Sequence, residues 1–224
     1  MPNVTDLPEA KNIPLLTINV EGLKRHSLFM RFIPEQNLSP DEQKLRSWLL
    51  HIVTTAGRHY TKARKLVESQ NSADQLKDGG VIFYILDVYE QIEGAVMSAN
   101  RACMAIRRLR ESHPGAEEFV AVHDTSLKSL SDIRNQYEHM HQQITTNQAG
   151  KGPISMSFAD EGRKIKFRNL SLETTTLHGL IESAYKFVAK MFPSFNADSV
   201  PEVAGHTKLT ISASITVTES VTKQ

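Results

Sequence analysis

The sequence predicts a mainly α protein: a bundle of four long helices, a short β-hairpin before the last of them, and strand-like segments at both ends. Three observations carry this. Four stretches repeat apolar residues at spacings of three and four, the helical period. A glycine-containing turn, "ADEGR", separates two short runs, "ISMSF" and "KIKF", just ahead of the fourth stretch. The two ends read differently: "IPLLTINV" at 13–20 suits a strand, and "LTISASITV" at 209–217 alternates with a period of two.

The first helix opens at "SPDEQ", with Ser39 as N-cap, Pro40 in the first turn and Glu42 completing a capping box. Its stripe is Leu45, Leu49, Ile52, Ala56, His59, Ala63 and Leu66, and it fades at "SQNSAD". A lone histidine in such a stripe is ordinarily a hydrogen-bonded core or rim residue, and the rival reading has His59 lining a functional cleft. The second helix follows Gly79-Gly80 and runs through Ile85, Tyr89, Ile92, Val96, Ala99, Cys103 and Ile106 to "HPG" at 113–115. The third starts near Glu117, with a kink expected around Asp124-Thr125, and carries Leu130, Ile133, Tyr137, Met140 and Ile144 until "NQAGKGP". The fourth spans roughly 174–192 with Leu177, Ile181, Ala184, Val188 and Met191, and stops before Pro193. This divides the chain into an N-terminal extension (1–38), the bundle (39–192), and a linker with a strand-like tail (193–224).

Composition narrows the class. Cys103 is the single cysteine, so no internal disulfide forms, which fits a reducing, cytoplasmic setting. No apolar run approaches the ~20 residues that span a bilayer, so no membrane partner is expected. With 26 basic and 25 acidic side chains the formal charge is +1, which argues against a dedicated duplex-DNA coat. The densest basic cluster is "RACMAIRRLR", with Arg101, Arg107, Arg108 and Arg110. It reads either as cations offsetting a helix C-terminus or as a phosphate-binding patch.

The third helix holds an unusual density of ionisable groups, "SDIRNQYEHMHQQI" at 131–144. Glu138 and His141 make a Glu-x-x-His pair, but no second such pair exists for a bundle-core di-metal site. His139 and His141 lie two apart, roughly 200° around a helix, so they cannot share an ion. No metal or other cofactor is expected. There is no phosphate-binding glycine loop, dinucleotide fingerprint or nucleophile elbow.

What remains is Arg134, Asn135 and His139, an Arg-Asn-x-x-x-His pattern late in a helical chain. It resembles the motif of the HEPN superfamily, helical proteins of toxin, anti-phage and RNA-processing systems. The resemblance covers residues 39–192 and implies a homodimer whose paired motifs form one cleft, in which active members cleave RNA without metal. It implies Arg134 as the phosphate-facing cation, Asn135 as an orienting group and His139 as the base. An imidazole titrates near neutral pH and a guanidinium grips a phosphate bidentately, which suits attack by a 2′-hydroxyl. His141 stands where part of the family has tyrosine.

Helical phase favours a different histidine. With Tyr137 at the centre of the buried stripe, Arg134 and His141 share a face and His139 points away. An Arg134–Glu138 ion pair one turn apart is the competing structural reading. The expected function is therefore a metal-independent endoribonuclease, a toxin or defence effector. The alternative is a non-catalytic module binding nucleotide, RNA, an antitoxin or another protein.

Overall fold

The computed structural model describes residues 8–30, 39–71, 81–149, 154–192 and 195–196. Among them the chain is mainly helical, with one small antiparallel sheet. The helices are α1 (Val20–Met30), α2 (Pro40–Gln70), α3 (Val81–Arg108), α4 (Ala116–Glu138), α5 (Met140–Thr145) and α6 (Thr174–Lys190). The strands β1 (Ser157–Ala159), β2 (Lys164–Phe167) and β3 (Leu170–Glu173) lie between α5 and α6. None of these helices is long and apolar enough to cross a membrane.

Helix α2 starts as its sequence dictates. The Ser39 amide donates to Glu42 Oε2 at 2.8 Å, the Glu42 amide donates to Ser39 Oγ at 3.3 Å, and Pro40 needs no donor there. α2 packs along most of α3, and both pack on α6, while α4 packs on α3 and α6. The close approach of α2 to α3 depends on Gly94, since a Cβ there would lie 2.7 Å from His59 Nδ1. His59 Nδ1 in turn donates to the buried Gln91 Oε1 at 2.8 Å, so this histidine serves the helix contact.

The predicted stripes of α3 and α6 are buried at Ile92, Val96, Ala99, Cys103 and Ile106, and at Leu177, Ile181, Ala184 and Val188. Burial pushes the Cys103 thiol up to about 12, so it is a core side chain and not a nucleophile.

Three expectations need correction. First, the third helix is unbroken at Asp124-Thr125 and instead ends at Glu138, with His139 between α4 and α5. Ile144 consequently lies outside the core, 52% exposed. Second, 13–20 is not a strand. Residues 14–19 form an irregular strap, and Val20 begins α1, with the Gly22 amide donating to Asn19 Oδ1 at 2.6 Å as an N-cap bond. Ile13, Ile18 and Leu23 belong to the same core as the long helices. Third, the hairpin gains a third strand: the sheet order is β1-β2-β3. Phe158, Ile165 and Leu172 lie in register across it and are buried. The alternating tail at 209–217 lies outside the described residues.

Backbone carbonyls of the strap are met by side chains from far away in sequence. Arg64 Nε donates to Ile13 O at 3.0 Å and Tyr60 to Pro14 O at 3.0 Å. His178 Nε2 donates to Leu15 O at 3.1 Å and Tyr185 to Asn19 O at 3.0 Å. The Thr17 amide and hydroxyl both donate to Glu182 Oε1, at 2.8 and 2.7 Å. The 3-10 turn Asp160–Gly162 closes the same end: the Glu9 amide donates to Glu161 O at 2.9 Å.

Candidate functional site

The last two turns of α4 sort their side chains by direction. Ile133 is fully buried. Tyr137 is half-buried, its ring 5.4 Å from that of Phe167 and its hydroxyl donating to Glu93 Oε2 at 2.7 Å. The other Glu93 oxygen accepts the Met156 amide at 3.2 Å. Burial first, and then the Glu93 carboxylate, push the Tyr137 phenol up to about 12, so it remains a donor at neutral pH. Gln136 reaches the β2–β3 turn, donating to Asn169 Oδ1 at 3.1 Å. These contacts fix the helix against the sheet, and they set where its polar groups point.

Arg134 is about one-third exposed. Its Nη2 lies 2.5 Å from Glu138 Oε2, its Nη1 donates to Asn135 Oδ1 at 2.9 Å, and its Nε is buried with no acceptor. Both of these partners therefore come from α4 itself. Glu138 also works through its backbone, because His141 Nδ1 donates to Glu138 O at 3.0 Å. A carbonyl can only accept, so Nδ1 carries a proton. His139 and His141 are both exposed, and the His139 ring has no partner among the described residues.

Arg134 and Asn135 line a groove of about 470 Å³ together with Ser131, Trp48, Arg101 and Arg108. Neither histidine of the motif lines it. Ser131 donates to the buried Asn100 Oδ1 at 3.0 Å, which ties α4 to α3 along the floor. Arg134 and Asn135 thus line the groove, while the two exposed imidazoles do not. His59 does not line the groove.

Sequence reasoning marked Arg101 and Arg108 as cations and missed Trp48. The available signal was the chain's lone tryptophan, three residues after Leu45 at the edge of the stripe of an amphipathic helix. A larger hollow, about 600 Å³, lies between the start of α4 and the end of α6 over Phe119 and Phe187, with His113, His123 and Lys186. Burial lowers the His123 imidazole below its ordinary value. This hollow contains no residue of the Arg-Asn-x-x-x-His motif. No protein-family model, curated protein or solved structure matches the chain.

Proposed function

We propose that this chain is a metal-independent endoribonuclease of HEPN type, with its four long helices forming that family's bundle and a homodimer completing the cleft. One observation carries the chemistry. Glu138 holds a cation and an oriented base at once, its carboxylate against Arg134 and its carbonyl against His141 Nδ1. In this reading His141 Nε2 takes the proton of an RNA 2′-hydroxyl, and the freed oxygen attacks the adjacent phosphorus. The Arg134 guanidinium meets the charge that builds on the phosphate, which requires it to leave Glu138. That exchange is cheap, because a partly exposed i,i+4 pair is worth only about 0.5 kcal/mol. The 5′-oxygen departs, taking a proton from water or from the second imidazole, and leaves a 2′,3′-cyclic phosphate. His139 is the base that the family spacing selects, so the two histidines make distinguishable claims.

Incubation of the protein with single-stranded RNA in EDTA tests this directly. Cleavage with cyclic-phosphate ends is expected, and Arg134→Ala should slow it by about 10²-fold or more. A comparable loss in His141→Ala but not His139→Ala supports the Glu138-oriented base, and the reverse pattern supports the family register. Absence of any cleavage sinks the catalytic reading. A second reading, a non-catalytic module that binds nucleotide, RNA, an antitoxin or another protein, is favoured by the clasp of Arg134 between Glu138 and Asn135.

A further inference from the structure

The groove beside Arg134 has a chemistry of its own. Arg101 and Arg108 stand on one side of α3 with Met104 and Ala105 between them, and all four line the groove. Both arginines are exposed, and neither has an ion-pair or hydrogen-bond partner among the described residues. The neighbouring Arg110 differs: it pairs with Glu111 and lies off the groove. Across from α3, α2 contributes Trp48, the only tryptophan in the chain, 48% exposed. No carboxylate lines the groove among the described residues.

We propose that this groove binds a short single-stranded segment of RNA, with a base stacked on Trp48 and backbone phosphates on Arg101 and Arg108. The proposal deepens the ribonuclease reading and rests on it for RNA as the nucleic acid. Unpaired guanidiniums meet a phosphate without first breaking a bond within the protein, and they grip it bidentately. A half-exposed indole is expensive to leave in water and offers a face to any unpaired base, whereas a duplex hides its bases from it. The spacing agrees. Seven residues along a helix rise about 10.5 Å, which is roughly three nucleotides of a stacked strand at ~3.4 Å each. The strand would then run past Arg134 at the mouth of the motif. Trp48, Arg101 and Arg108 hold the strand, while Arg134, which lines the same groove, faces the phosphate to be cleaved.

The tryptophan supplies the assay. Intrinsic fluorescence comes from Trp48 alone among tryptophans, so titration with a 2′-O-methyl oligoribonucleotide, which cannot be cleaved, should quench it saturably. Anisotropy of the same labelled oligonucleotide covers Trp48→Ala, which removes the fluorophore. Trp48→Ala should weaken binding by about tenfold, the scale of one lost base stack. Arg101→Ala and Arg108→Ala should each reduce the salt dependence by about 0.7 in the log–log slope.

An oligodeoxynucleotide of equal length that binds more tightly would overturn RNA as the ligand. Unquenched fluorescence, or a salt slope indifferent to both arginine substitutions, would overturn the groove. These results separate from the catalytic reading. RNA cleavage with an unchanged KM in Arg101→Ala and Arg108→Ala leaves the ribonuclease standing and removes the groove. Quenching by a protein that cleaves nothing does the opposite.

Discussion

The N-terminal strap and the motif residues Arg134, near the end of α4, and His141, just beyond it, both place polar groups at the protein surface, yet they satisfy them in opposite ways. The strap is held by Tyr60, Arg64, His178, Glu182 and Tyr185, which lie 46 to 166 residues away in sequence. At the end of α4, Arg134 takes Asn135 and Glu138 from its own helix, and His141 takes a carbonyl three residues back. A long-range bond is lost only when elements part. A local one can be exchanged for a ligand while the fold stays as it is. The difference separates groups that build the molecule from groups free to act on something else.

The strap is disturbed most severely by a substitution at Gly162. Its φ of +96° is one that a side chain tolerates poorly, and a Cβ there would stand 3.2 Å from Ile13 Cγ1 and 3.3 Å from Glu9 O. Gly162→Ala should therefore cost about 2–3 kcal/mol, seen as a lower midpoint in urea unfolding, through strain plus a displaced strap. An unchanged midpoint would show that the strap contributes little.

Glu182 sharpens the same side with pH. Burial works to raise its carboxyl, but the Thr17 amide and hydroxyl, with His178 and Lys186, together hold it below its ordinary 4.5. A depressed carboxyl gives stability that is fully present above the unfolded value and is lost as pH falls through the folded one. Glu182→Gln should cost about 1–2 kcal/mol at neutral pH, and its difference from wild type should shrink once pH drops below 4.5. A gap that persists into acid would mean that packing, not the carboxylate, holds the strap.

The smallest effect belongs to the other region. Glu138→Gln should change stability by no more than about 0.5 kcal/mol, because the pair it breaks is partly exposed and local. RNA cleavage should be kept or rise, since Arg134 is then free for phosphate. Loss of 2 kcal/mol or more would place Glu138 with the strap residues, as part of the architecture.

How legible each region was in the sequence follows the same division. The capping box at Ser39 and the stripes of α3 and α6 were readable because their causes lie within one or two turns. The strap passed for a strand because "IPLLTINV" is apolar and β-branched, while the side chains that hold it come from α2 and α6. Strand β3 was missed because "LSLE" is four residues long and runs straight into Thr174 of α6. The break at His139 has no glycine or proline to announce it. What holds the segment beyond is tertiary: Arg168, from the β2–β3 turn, donates to Gln143 Oε1 and to Ala149 O. At the candidate site, the residues of the motif were singled out from their order alone. Trp48 and the arginines of α3 joined Arg134 only once helix packing had set them face to face.

The strap also imposes an order on how the molecule can be made. Its anchors at Glu161, Glu182 and Tyr185 are translated about 150 residues after the segment they hold, at separations of 152, 165 and 166 for the Glu9, Thr17 and Asn19 bonds. On a ribosome the α2–α3 pair can associate early, and Tyr60 and Arg64 of α2 can already meet Pro14 and Ile13, while the Thr17 and Asn19 bonds must wait for α6. Synthesis of α6 is the event that closes the strap.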